Sequence, residues 1–299
     1  MSEQLYIIVP YFNFINYKSG IKNLEIFINN FSKYKNVQIV LVEGYYKDQQ
    51  LPDYSTKIFK HIKLPLKHIL WVKENLINIG FSCLPSDWQY GGWIDRDIEF
   101  INPNWVDESI EKLKTCDLLQ PWTQCVFLNS NFEHVRICGH IFAESFCSLF
   151  KKNLLTKENL FSDRHTHSGQ AWCINKKFYN HLGGLYERAI LGGADFLWVI
   201  GVLNTQNSHH CVKGIDDDIK LYLAKIKEAK VDYVHGIICH LYHGEYNDRR
   251  YIERYEILRK YKYLPLEDTL KDENGVLCYT DSGVRMEHDI KNYFLVRRE

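Results

Sequence analysis

Two apolar runs open the chain. Leu5-Tyr6-Ile7-Ile8-Val9-Pro10 is continuous and stops at proline, and Val37 to Val42 repeats the pattern and stops at Glu43. Runs without alternation suit strands buried on both faces. Between them, Lys22 to Tyr34 sets Leu24, Phe27, Ile28 and Phe31 at helical spacing. Strand, helix, strand predicts an α/β fold with a parallel sheet. His68 to Val72 reads as a further strand, leading into a helix that begins at Lys73 with Leu76, Ile79 and Gly80 inward. Tyr90 to Ile94 is the next strand, Trp105 to Lys114 a helix, and Leu118-Leu119 a short strand.

The pattern then weakens. Periodicity is poor from Pro121 to about His167, so this stretch reads as a long insertion, a lid or an acceptor loop. It resumes in a helix over Lys176–His181 and in a second helix that starts near Asp195 and runs through Val202. Ile215 to Ala229 reads as an amphipathic helix, Val231 to Ile238 as a strand, and 248–261 as a polar, aromatic helix.

Composition narrows the class. With 45% hydrophobic and 25% charged residues, the 299-residue chain is ordinary for a soluble globular protein. Lys plus Arg (37) equals Asp plus Glu (37), so no global field draws it to nucleic acid or an anionic membrane. Basic stretches at 57–67 and 249–260 remain as local phosphate-binding candidates. The nine cysteines include no Cys-X-X-Cys pair, which argues against zinc and against a disulfide framework. The N-terminus has no secretory pattern and no apolar run approaches a membrane span, so the expected location is the cytoplasm. No partner protein is evident.

The chemistry centres on Asp95-Arg96-Asp97, which follows the Tyr90–Ile94 strand. In an extended segment residues i and i+2 share a side, so the two carboxylates are expected to converge on one ligand. Hard divalent ions such as Mg²⁺ or Mn²⁺ accept such oxygens. An Asp-X-Asp triplet is commonly just a solvated turn, and context decides. In parallel sheets ligands bind beyond the carboxyl ends of the strands, where Pro10, Tyr11, Asn13 and Glu43 also fall. Gly192-Gly193 permits close backbone approach to a ligand. Asp195 then stands at a helix start, where a capping role is the simplest alternative. No glycine-rich phosphate loop with Lys-Ser/Thr occurs, which disfavours a phosphoryl transferase.

Taken in order, Ile8 to Asn13, Val42-Glu43, Trp93 to Asp97, Ser168 to Asp195 and His240 to Arg250 resemble the nucleotide-sugar glycosyltransferases of the GT-A fold. The Gly183-Gly184-Leu185-Tyr186-Glu187 and Gly192-Gly193-Ala194-Asp195 segments look like the galactosyltransferase-type C-terminal half, and the whole chain is similar to uncharacterised glycosyltransferase-like proteins of bacteria and phages. The resemblance implies a Rossmann-like, mixed, mostly parallel central sheet flanked by helices. It implies a catalytic domain over 1–245, with a nucleotide-binding half (1–100) and an acceptor half (101–245) carrying the insertion 121–165. A helical extension, 246–299, packs on it.

It also implies Mn²⁺ or Mg²⁺ and a UDP-sugar donor, with Asp97 as metal ligand and Asp95 on ribose or metal. A histidine completes the metal site; His243 matches best and His240 second. Asp195 matches the general base of inverting members, although Ala194 replaces the glutamate that many members carry before it and the stereochemistry stays open. Asn13, Glu43, Lys73 and Asn78 fall where the family holds uracil and ribose. Ser168, Gly169, Gly192 and Gly193 join the donor side, and Trp172 either stacks on a sugar or packs in the core. The acceptor is a glycan, a glycoconjugate or a hydroxylated DNA base; a binding module that has lost catalysis is the other-class alternative.

Overall fold

A computed structural model describes residues 3–137, 139–158, 160, 166–205, 212–297 and 299. Its strands are β1 (Leu5–Phe12), β2 (Val37–Tyr45), β3 (Lys60–Pro65), β4 (Tyr90–Ile94), β5 (Ile98–Phe100), β6 (Leu118–Gln120), β7 (Gln124–Leu128), β8 (His134–Val135), β9 (Phe142–Ser145), β10 (Thr166–His167), β11 (Ala171–Asn175), β12 (Val231–Tyr233), β13 (Ile237–His240), β14 (Thr269–Lys271) and β15 (Leu277–Tyr279). The first sheet has the order β12-β6-β11-β4-β1-β2-β3. Within it β11 alone runs against the others, so the α/β fold has a mixed, mostly parallel sheet flanked by helices.

The apolar runs explain this sheet. Along β1, Ile8 packs into one core while Leu5, Ile7, Val9 and Tyr11 pack into a second; along β2, Val40 and Val42 go one way and Val37, Ile39 and Leu41 the other. Successive strand residues alternate faces, so both faces must be apolar when both are covered. The helix Lys73–Ser82 crosses one face closely at Gly80, where an added Cβ would stand 2.5 Å from a methyl of Ile8. That contact fixes the helix with Lys73 at the carboxyl edge of the sheet.

A second sheet, β10-β9-β7-β13-β5, with β8 on β7, grows from chain segments leaving the first. Asp95-Arg96-Asp97 carries the chain from β4 to β5, 121–123 from β6 to β7, and 234–236 from β12 to β13. The stretch expected to be an irregular insertion therefore contains the short strands β7 to β10 and a helix, Phe146–Lys151, although 138, 159 and 161–165 lie outside the described residues. The single strand expected over Val231–Ile238 divides at Gly236 for the same reason.

Other differences are local. His68 to Val72 is not a strand: Ile69 N–H donates to Glu287 Oε1 (2.9 Å) and Trp71 N–H to Ile190 O (2.9 Å), so its backbone is paired outside any ladder. The strand lies earlier, at β3, whose Lys60, His61 and Lys63 give it the polar character of an edge. The helix expected over 215–229 is two short ones, Lys213–Asp218 and Lys220–Ile226. The helix expected over 248–261 is interrupted by Arg250 in a left-handed conformation (φ +43°). Residues 246–299 include the hairpin β14–β15 as well as helices. The seven described cysteines are free, with Cys138 and Cys211 outside the described residues, and no described helix is long and apolar enough to cross a membrane.

Candidate active site and metal centre

A cavity of about 770 Å³ opens where the two sheets meet. Register brings its parts together. β13 pairs antiparallel with β5, setting His240 opposite Ile98, and Leu241 N–H donates to Asp97 O (2.8 Å). On the other side β11 pairs with β4, and Asp95 N–H donates to Gln170 O (2.9 Å), which holds Ser168 and Gly169 beside the aspartates.

Asp97, His240 and His243 form one buried cluster whose ligand-capable atoms all lie within 4.8 Å of one another. His240 Nε2 and His243 Nε2 are 3.0 Å apart, and Asp97 Oδ2 is 3.3 Å from His243 Nε2. Arg249 Nη2 donates to the same His243 nitrogen at 2.7 Å. Asp97 Oδ1 is buried without a hydrogen-bond partner. One ring nitrogen cannot satisfy all of these neighbours, and the Arg249 guanidinium is the cation set among these crowded lone pairs. Two imidazoles with one carboxylate suit first-row divalent ions such as Fe²⁺, Zn²⁺ or Mn²⁺ better than the oxygen-preferring Mg²⁺, so of the two ions the sequence implied the residues fit Mn²⁺. Burial disfavours ionised Asp97, yet His243, His240, Arg96 and Arg249 hold its carboxyl well below the usual range. Burial, reinforced by His243 and Arg249 and opposed by Asp97, pushes His240 well down, toward the neutral form that ligation requires.

Asp95 takes a different partner. The segment between the sheets is a turn, and Asp95 pairs with Lys73 and is not among the clustered ligand atoms. Burial raises the Asp95 carboxyl, with Lys73 opposing and Asp97 adding to the rise. Glu74, absent from the sequence-based candidates, sits beside this pair with Oε2 buried and unpartnered. Burial, with help from Asp195 and Asp95 and against Lys73, raises its carboxyl to about 7.

Asp195 lines the same cavity. Its side chain makes no capping hydrogen bond to the helix Phe196–Leu203, so capping does not explain it. Instead its carboxylate lies over Gly169, where a Cβ would stand 2.6 Å from Oδ2. Gly193 (φ +93°) serves Tyr255, whose hydroxyl would be 2.1 Å from a Cβ there.

Of the residues expected from sequence, Pro10, Asn13, Lys73, Asp95, Asp97, Ser168, Gly169, Gly193, Asp195, His240 and His243 line the cavity. Five do not. Glu43 is fully buried, accepting from Leu51 N–H (2.6 Å) and facing His61 Nε2 (3.0 Å), so it ties the loop between β2 and β3. Asn78 is consumed by Leu185 N–H and C=O, Glu187 and Tyr179. Trp172 is fully buried, stacked with Trp93, and donates to Ser168 O (2.7 Å), which settles it in the core. Tyr11 is buried under the Arg96 guanidinium, and Gly192 offers its carbonyl to Tyr255 OH (2.7 Å).

Trp71, His167, Phe294, Arg297 and Glu299, none of them among the sequence-based candidates, also line the cavity, as does Arg254 of the basic stretch 249–260. Arg249 and Arg254 turn inward and Lys67 pairs with Glu273 (2.8 Å), whereas Lys57, Lys60 and Arg250 of the same basic stretches are exposed. The one available signal was the concentration of Arg and Tyr between 249 and 263.

No family model matches the chain, and no curated protein matches it. Solved structures resemble it at low identity. A Drosophila β-1,4-galactosyltransferase 7 mutant in complex with manganese, UDP-Gal and xylobiose aligns over 79% of this chain and 65% of that one, with 10% identity and TM-score 0.41. A Pyrobaculum calidifontis mannosyltransferase in complex with GDP-Man and Mn²⁺ aligns over 87% and 62%, with 9% identity and TM-score 0.46. A 4-diphosphocytidyl-2C-methyl-D-erythritol synthase from Anaerococcus prevotii aligns over 78% and 89%, with 12% identity and TM-score 0.38. The chain thus spans less than two thirds of both glycosyltransferases' lengths. At such TM-scores these likenesses assign no activity, which has to be argued from the site.

Proposed function

We propose that the protein is a metal-dependent glycosyltransferase that moves a sugar from a nucleoside diphosphate sugar, UDP-hexose by preference, to a hydroxyl acceptor. The observation that carries this reading is the buried Asp97, His240 and His243 cluster in the cavity that also holds Asp195. Asp97, His240 and His243 would hold the divalent ion, which as a Lewis acid neutralises charge on the leaving diphosphate.

The chain's own residues supply the rest. Lys73 and Arg249 add positive charge to the cavity wall, where a diphosphate needs it. Asp195 takes the proton of the acceptor hydroxyl as that oxygen bonds to the anomeric carbon and the bond to the diphosphate breaks. Gly169 leaves the space in which the Asp195 carboxylate stands. Tyr246, Tyr251, Phe294 and Arg297 of the C-terminal segment line the cavity beside these groups.

The test is release of nucleoside diphosphate from a panel of UDP- and GDP-hexoses with Mn²⁺, with and without saccharide acceptors. Asp195→Asn is expected to lower turnover by about 10²–10⁴ while nucleotide affinity stays within about twofold of wild type. No release from any nucleotide sugar would contradict the reading.

A further inference from the structure

His243 is held from both sides of its ring. On the Nε2 side Arg249, which can only donate, approaches at 2.7 Å, so Nε2 presents a lone pair and the ring proton of the neutral form belongs on Nδ1. Nδ1 is buried and has no hydrogen bond of good geometry. The charged group facing it is the Glu299 carboxylate, with Oε2 at 3.5 Å.

Glu299 is built into that position. Arg297 Nε donates to its Oε1 at 2.7 Å, and Arg297 Nη2 donates to the same oxygen, which leaves Oε2 for the imidazole. The Arg297 guanidinium lies over the rings of Trp71 (5.5 Å) and Tyr293 (5.8 Å). Gly244 (φ +104°) lets the segment close, since a Cβ there would stand 3.0 Å from Glu299 Cγ. The Glu299 side chain is 5% exposed, and a carboxylate so buried is costly unless its partners are fixed. Arg297 and His243 are those partners.

We propose that Glu299 is a positioning residue of the metal site, holding His243 as the Nδ1–H tautomer so that the Nε2 lone pair, which accepts from Arg249 in this structure, is the one turned toward Asp97 and His240. The proposal rests on the metal-site reading above and deepens it. A carboxylate behind a ligating histidine fixes ring orientation and tautomer, and its loss typically weakens metal binding 10–100-fold. Here the carboxylate comes from a segment 56 positions along the chain from His243, so the site is complete only when that segment is docked.

The experiment uses the full chain as wild type, Glu299→Ala, Glu299→Gln and Asp97→Ala. Each is titrated with Mn²⁺ alone, free Mn²⁺ being read by electron paramagnetic resonance. The His243 tautomer is read from imidazole ¹⁵N shifts in the metal-free protein. Glu299→Ala is expected to weaken Mn²⁺ binding about 10–100-fold and to lose the uniform Nδ1–H signature. Glu299→Gln, which keeps the packing and an acceptor oxygen, is expected to retain the tautomer with a smaller loss. Folded Glu299 variants with wild-type Mn²⁺ affinity and tautomer would overturn the proposal while leaving the metal site standing, provided Asp97→Ala loses the metal. Wild type that binds no Mn²⁺ would overturn both.

Discussion

Asp95 leaves the first sheet with Lys73 at its carboxylate, whereas Asp97, two residues on, enters the second sheet facing two imidazoles. Burial acts on both, yet it raises the first carboxyl and is overridden at the second. The cause is the partner set: one lysine shared with Glu74 and Asp195 on one side, and two histidines with Arg96 and Arg249 on the other. The lesson is that one tripeptide bridging two sheets can serve two ends of a cavity. The Asp97 end carries the clustered Asp97, His240 and His243, and the Asp95 end already contains a cation, Lys73.

The largest effect should come from the Asp97 end. His243→Ala is expected to weaken metal-dependent nucleotide binding by on the order of 100-fold or more, measured by calorimetry with Mn²⁺. An equal loss from Lys73→Met would erase the distinction between the two ends.

Gly169→Ala tests the ground between them. A methyl 2.6 Å from Asp195 Oδ2 must push the carboxylate aside, and displacements near 1 Å can cost about 100-fold in rate. Turnover is expected to fall by roughly 10–100-fold with nucleotide affinity kept, read from steady-state kinetics beside calorimetry.

Glu74→Gln sharpens the Asp95 end. The folded-state value of Glu74, about 7, lies above its unfolded value, so its contribution to stability is fully present below about pH 4 and is lost as pH rises through 7. The variant is therefore expected to be more stable than wild type at pH 8, by roughly 1–3 kcal/mol in denaturant melts, with the advantage gone at pH 5. A constant difference across that range would show that Glu74 does not titrate there.

The smallest effect on function should come from Asn78→Ala. Losing its bonds to Leu185, Glu187 and Tyr179 is expected to lower stability by about 1–3 kcal/mol in the same melts while nucleotide affinity is unchanged.

Much of this was legible in the chain. β1, β2 and β4 announced themselves as continuous apolar runs, and the strand order put Asp95, Asp97 and Asn13 on one edge. His240 and His243 were legible by their place after a late strand, although neither spacing nor composition showed that both join Asp97. The second sheet was not legible because its strands span only two to five residues, too short for alternation to register, and their pairing is set by distant segments. His68 to Val72 misled because its backbone groups pair with Ile190, Tyr279 and Glu287 rather than with a neighbouring strand's ladder. Glu43 and Asn78 looked like ligand groups because strand-end and helix-face polar residues carry no mark of the loop they secure. Arg297 and Glu299 reach the cavity only through tertiary packing of the C-terminal segment, which no local pattern encodes.

The most direct measurement is calorimetric titration of UDP, and of GDP for comparison, into wild type, Asp97→Ala and Asp95→Ala, each with and without Mn²⁺. The account predicts UDP binding that requires Mn²⁺ in wild type and loses that requirement's benefit entirely in Asp97→Ala. Asp95→Ala should keep the metal dependence at an affinity reduced by about tenfold. Wild type that binds no nucleotide under either condition, or Asp97→Ala that still binds UDP with Mn²⁺ as wild type does, would contradict it.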